Sequence, residues 1–246
     1  MDIDVAKKLL DLLQSDAVVV DRDYALVIDH IRKEGFSYAT PAVLGMVSTL
    51  FSDNMMVAHN LLQNAADEAK AAARINIIAE RYAEPPLRQQ MQSHAADSLQ
   101  HGELFAEAVK YTGFSTEACT EEDKLQIVEE VFDFDDELTL FVCQVHVVEI
   151  RSWIMLNFYA ATLEARDDQH LAKIIPLLKT ISACKATHIL YTARQINLWM
   201  QTNKQLRYTL AHCFRYTNSE TWHDLAEMSS YLADNFAHLN KANHMS

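Results

Sequence analysis

Apolar residues recur at spacings of three and four along the chain, the period of helices that bury one face. Two short leading helices are predicted over residues 2–14 and 22–34. Val5, Leu9 and Leu12 form the first stripe, and Tyr24, Val27, Ile28 and Ile31 the second, which stops at Gly35. Pro41 opens a helical stretch to about Phe51. Asp53-Asn54 can cap a long helix that runs to Tyr82, just before Pro85-Pro86. Pro86 suits the first turn of a second long helix, which keeps its period to Tyr111 and ends at Gly113 as a left-handed cap. A connector with a small helix over 121–132 follows. The third long helix fits 136–165, with Leu140, Val147, Trp153, Ile154 and Phe158 apolar and Arg166-Asp167-Asp168 closing it. The fourth fits 169–202, where Pro176 predicts a kink or a late start. Shorter helices over 204–216 and 219–240 end the chain.

The order of two long helices, a connector and two more is that of an all-α four-helix bundle made from two hairpins. No linker, low-complexity tract or charge block interrupts it, so residues 1–246 read as a single helical domain. Leading helices occupy 1–53, the bundle core 54–202 and terminal helices 203–246. Composition agrees, because four Gly and four Pro in 246 residues leave few of the turn residues that sheets and nucleotide loops need. The net charge of −13 argues against a nucleic-acid partner, and a small-molecule substrate is expected instead. Cys119, Cys143, Cys184 and Cys213 stand far apart, which excludes a zinc ribbon or disulfide lattice and suggests a reducing compartment. Neither an export-like start nor an apolar run of about 20 residues is evident, so the expectation is a soluble cytoplasmic protein with no membrane role. The amphipathic terminal helices leave room for a homodimer.

Ionisable residues on inward helix faces are the informative ones, because a bundle interior should be apolar. On the second long helix His94, Ser98, His101 and Phe105 form one stripe. On the third, Val142, His146, Glu149, Trp153 and Leu156 align, and on the fourth Lys185, His188 and Thr192. The first long helix offers Glu68, or Glu80 near its end. Glu68 precedes His101 by 33 residues and Glu149 precedes His188 by 39, which sets each Glu beside a His at the same depth of its hairpin. Two carboxylates and two imidazoles suit iron, manganese or zinc. The bland alternatives are a solvated Glu68 paired with Lys70 or Arg74, core histidines and a snorkelling Lys185. Gly102, after His101, hints at a close helix approach. His212, His223, His238 and His244 fall in no constellation.

Over residues 54–202 these positions resemble the ferritin-like di-iron carboxylate superfamily, in which two helices give a Glu each and two give Glu-x-x-His. Locally, Glu68-Ala-Lys-Ala-Ala-Ala through Glu80-Arg81-Tyr82, Val148-Glu149-Ile150-Arg151-Ser152 and Cys184-Lys185-Ala186-Thr187-His188 resemble the tRNA-modifying non-haem di-iron hydroxylase branch. The resemblance implies iron held by Glu68, His101, Glu149 and His188, activation of O₂, and oxidation of a small organic substrate. In it Asp97 matches a position whose acid orients a ligand imidazole and is also a replacement ligand, with Cys184 at the equivalent place on the fourth long helix. Tyr191 lies next to His188 along its helix face as a core residue or one behind the ligands, and Lys185, Tyr191 and Asp97 are the candidate catalytic residues. The chain departs from the pattern at both bridging glutamates, where Ser98 and Lys185 stand. Some ribonucleotide reductase small subunits of this superfamily have lost ligands, gained a Lys and work without metal. Three readings therefore stand. One is an iron oxidoreductase of the hydroxylase or oxygenase type with an altered ligand set. The second is a metal-free binding or interaction protein in which Lys185 neutralises Glu68 and Glu149. The third is a single-metal site drawing on His94, His101, His146 and His188.

Overall fold

A computed structural model describes residues 3–114 and 137–242. Among them every regular element is helical: α1 (Val5–Ser15), α2 (Arg22–Glu34), α3 (Pro41–Leu50), α4 (Asn54–Tyr82), α5 (Pro85–Val109), α6 (Leu138–Glu164), α7 (Ile174–Thr202) and α8 (Leu206–Ala242). Short 3₁₀ turns at Ser37–Ala39, Lys110–Thr112 and Leu171–Lys173 complete them. The small helix expected over 121–132 lies outside the described residues.

Local chemistry sets the helix ends. Asp4 accepts from the Lys7 amide, Asp21 from Asp23, and Asp53 from Met55 and Met56, so these helices start on carboxylate caps. Thr40 caps α3 ahead of Pro41, and Pro85-Pro86 open α5 where missing N–H groups cost nothing. Gly113, at φ 86°, supplies the left-handed residue after α5. Pro176 lies in the first turn of α7. The late start is thus correct, and the Asp168 carboxylate accepts from His170 and Leu171 just upstream.

The terminal region corrects the expectation of two helices over 204–216 and 219–240, since α8 runs unbroken from Leu206 to Ala242. Between the two expected helices, the Asn218 side-chain amide accepts from the Ser37 amide and donates to the Gly35 carbonyl. Its side chain therefore does not compete with its own helix.

α4 packs along α5, and α6 along α7, as two hairpins; α5 and α7 form the seam between them. α8 lies against α6 and α2. Leu9, Leu13, Tyr24, Ile28 and Ile31 of the leading helices are buried, each worth about 1.5–3 kcal/mol against exposure. The Arg166 guanidinium donates to the Phe51 carbonyl and to Asn54 Oδ1, tying the end of α6 to the α3–α4 joint. Gly102 meets the expectation of close approach: a Cβ there would stand 3.2 Å from the Ala65 carbonyl oxygen on α4.

On the remaining side α4 and α6 flank a cavity of about 700 Å³. One helix among the described residues, Leu138–Glu164, is long and apolar enough to cross a membrane by length and composition, contrary to the reading of the apolar runs. Half of its apolar window is buried inside the molecule. It also carries Glu149 at its middle.

Candidate functional site

Glu68 on α4, Glu149 on α6 and Lys185 on α7 meet between the hairpins, and only 8%, 4% and 3% of them is exposed. The Lys185 ammonium lies 2.7 Å from Glu68 Oε1 and 2.8 Å from Glu149 Oε1. The helical period makes this possible, because Lys185, His188 and Thr192 share one face of α7 turned to the seam. Glu80, the other acid considered on α4, is exposed, and the solvated alternative for Glu68 is excluded.

Burial alone would neutralise such groups, lowering an amine and raising a carboxyl. Mutual attraction wins here. Burial pulls the Lys185 ammonium down, yet Glu149 and Glu68 together hold it above its ordinary value. Glu149 is raised by burial but held well below the carboxylate range by Lys185, His94 and His188. Glu68 is held lower by His101 and Lys185.

His188 receives a carboxylate on each ring nitrogen: Nδ1 is 3.0 Å from Glu149 Oε2 and Nε2 is 3.1 Å from Asp97 Oδ2. Cys184 Sγ stands 3.7 Å from the same Nε2. Burial lowers His188, but Cys184, Glu149 and Asp97 outweigh it and raise the imidazole to about 10. Cys184 is the converse case, its thiol raised by burial yet brought down to about 7 by His101 and His188. Asp97 thus does orient an imidazole, but that of the opposite hairpin rather than its neighbour His101.

His94 stacks on His188 with ring centroids 3.6 Å apart. Its Nδ1 lies 2.9 Å from the Tyr191 hydroxyl. We assign that hydroxyl as donor, which leaves Nε2–H facing Glu149 Oε1 at 3.5 Å. Burial lowers His94 and raises Tyr191 well above its usual range, so both are neutral at pH 7. Tyr191 therefore positions His94. His101 Nδ1 is 3.6 Å from Glu68 Oε2, and neither atom has a hydrogen-bond partner. Ser98 Oγ, fully buried, lacks one too.

His146 sits apart as a core histidine. Tyr24 OH donates to its Nε2 at 2.8 Å, its Nδ1–H donates to Thr192 Oγ1 at 2.8 Å, and Thr192 passes its own proton to the His188 carbonyl. Burial drives it down to about 3, so it is neutral and fully partnered.

These residues do not fit a pair of irons. Glu68, His101, Glu149 and His188 do converge, as the spacing predicted. A cation already lies between the two carboxylates, however, and would repel metal at the same point. Glu149 is already shared between that ammonium and His188 Nδ1, and buried Ser98 adds only a hydroxyl. Sequence reasoning missed the Tyr191–His94 bond, which crosses from α7 to α5, and the Cys184–His188 contact, although a spacing of four on α7 puts the latter pair on one face. No family model, curated protein or solved structure matches this chain, so the geometry carries the functional argument alone.

Proposed function

We propose that this chain is a ferritin-like bundle that has replaced its two irons with the Lys185 ammonium, and that it binds a small organic molecule in the cavity beside that centre. The carrying observation is the bridge from Lys185 to Glu68 and Glu149 at 2.7 and 2.8 Å. The ferritin-like reading draws support from two hairpins that each bring one Glu and one His to the same depth. Oxidative chemistry of the kind the resemblance implies would need iron where the ammonium stands.

The cavity reaches from Glu68, Glu149 and Lys185 to the α3 side, where Phe51, Phe105 and Leu156 give it apolar wall. Tyr38 also lines it, and its hydroxyl is buried with no hydrogen-bond partner. An unsatisfied buried hydroxyl costs about 1–3 kcal/mol, which a ligand oxygen or nitrogen would recover. Among the charged lining residues Asp67, Glu68, Glu149 and Asp224 outnumber Arg151 and Lys185. The occupant is therefore a neutral or cationic molecule with an apolar body and one hydrogen-bonding end.

Thermal-shift screening of neutral, cationic and anionic amphipathic compounds tests this reading. Neutral or cationic compounds should stabilise the wild-type chain and not Met155→Trp, in which the cavity is filled. Stabilisation by anions only, or equal stabilisation of both proteins, defeats the chamber. Binding of two ferrous ions per wild-type chain defeats the lysine substitution.

A further inference from the structure

On the opposite flank of His188, away from the ammonium, Asp97, Cys184 and His188 bring an oxygen, a sulfur and a nitrogen within 4.8 Å of one another. We infer that these three side chains, with solvent as the fourth donor, form a mononuclear site for a zinc-like divalent cation. The inference goes beyond the cavity reading and shares with it Glu149, which orients His188, and Lys185, which keeps the cation off Glu68 and Glu149.

The spacing is that of metal ligands. Zinc bonds of about 2.0–2.1 Å to nitrogen, 2.0–2.2 Å to oxygen and 2.3 Å to sulfur give tetrahedral edges of about 3.3 Å for N···O and 3.6 Å for N···S. The distances from His188 Nε2 are 3.1 Å to Asp97 Oδ2 and 3.7 Å to Cys184 Sγ. The 3.7 Å contact is long for a strong hydrogen bond and natural as the edge of a coordination tetrahedron.

Orientation agrees. Glu149 Oε2 accepts from His188 Nδ1–H at 3.0 Å, which turns Nε2 toward Asp97 and Cys184. A carboxylate behind a ligand imidazole fixes its tautomer in this way. His101 lies on the α5 side of His188, ring centroids 5.9 Å apart, with its Nδ1 facing Glu68. His94 is no ligand, because its ring stacks on His188 with planes 22° apart, and lone pairs in near-parallel rings do not converge. The Asp97 side chain is 36% exposed and Cys184 half-buried, so an ion can enter from solvent. On binding, the metal replaces the proton on His188 Nε2 and any proton on Cys184, and both leave to solvent. One thiolate beside imidazole and carboxylate selects zinc or cobalt over magnesium or calcium.

The test uses the full chain stripped of metal and titrated with Co²⁺ as a spectroscopic probe. One Co²⁺ per chain should bind, with thiolate-to-cobalt charge transfer in the near ultraviolet and the intense visible bands of four-coordination, and Zn²⁺ should displace it. Cys184→Ser should abolish the charge-transfer band and Cys143→Ser leave it intact. Asp97→Asn, at a half-exposed position that should fold normally, should weaken binding at least tenfold. Zn²⁺ should also protect Cys184 from alkylation, read by mass spectrometry. A folded wild-type chain without charge transfer, or a band that persists in Cys184→Ser, overturns the site. Either failure leaves the cavity ligand response untouched, so the two proposals fall separately.

Discussion

Replacing Lys185 by Met keeps the stem and removes the charge, and its cost follows from what remains. Glu68 and Glu149, at most 8% exposed, would face each other without the ammonium 2.7 and 2.8 Å away. Breaking a buried pair by removing one partner costs roughly 3–5 kcal/mol. Here the lower end applies, because His188 still pairs with Glu149 and His101 still stands beside Glu68. We expect about 3 kcal/mol, or a fall in Tm of roughly 6–12 °C for a domain of this size.

The pH dependence separates lost charge from lost packing. In the wild type both carboxyls are depressed, so their stabilisation is present above the unfolded carboxyl value near 4.5 and lost as pH falls through the folded values. In Lys185→Met Glu149 keeps its His188 partner, but Glu68, left with only His101 at 3.6 Å, is raised by burial, so the variant gains relative stability as it protonates. The deficit should therefore be largest near pH 7.5 and shrink toward pH 5, measured by urea denaturation at each pH. Adding Glu149→Gln to the variant should recover part of the loss at pH 7.5. A deficit below about 1 kcal/mol, or one independent of pH, refutes the ionic bridge.

Cys184 in metal-free protein should react with iodoacetamide with a midpoint near pH 7, while buried Cys143 and Cys213, the latter raised to about 12, stay slow. His188→Gln should move that midpoint upward; a wild-type midpoint at 8.5 or higher would disprove the thiolate–imidazolium contact. His146→Phe should lose about 1–3 kcal/mol at pH 7.5, because the Tyr24 hydroxyl is left unpartnered in the core. His146 is held near 3 in the fold against 6.5 unfolded, so the unfolded chain binds the extra proton and the wild type loses stability as pH falls below 6.5. The gap to His146→Phe should close by about 1.4 kcal/mol at pH 5.5, and a constant gap would show a charged histidine. Gly102→Ala should lower Tm despite the better helix propensity of Ala, since the obstacle at 3.2 Å is backbone of α4; a higher Tm would mean that the helices can part.

Much of this was legible in the residue pattern because helical period and hairpin length are local quantities. Glu68 and His101, and Glu149 and His188, were paired by counting residues through a turn, and each pair does meet. What counting could not supply was the rotation of one hairpin against the other. That rotation, set by the α5–α7 seam, sends Asp97 across to His188 instead of along its own helix to His101. It likewise hides Tyr191, which turns to His94. The continuity of α8 escaped for a different reason: Asn218 has poor helix propensity, and only the tertiary partners Ser37 and Gly35 explain why its amide is satisfied outside the helix.

Ser98 and Lys185 stand at the two positions where the ferritin-like resemblance expects glutamate. Ser98 is fully buried and its hydroxyl has no hydrogen-bond partner. A glutamate at 98 alone would add a third buried carboxylate to a centre with one ammonium and one imidazolium, and would ionise only at a cost of several kcal/mol. A glutamate at 185 alone would remove the cation and leave three acids around a gap. Ser98→Glu with Lys185→Glu would instead present four carboxylates and two imidazoles, a set that divalent cations can neutralise. Anaerobic titration should therefore find two ferrous ions per chain in the double variant and none in Ser98→Glu. Equal iron in the single and double variants would mean that the ammonium does not govern what this centre holds.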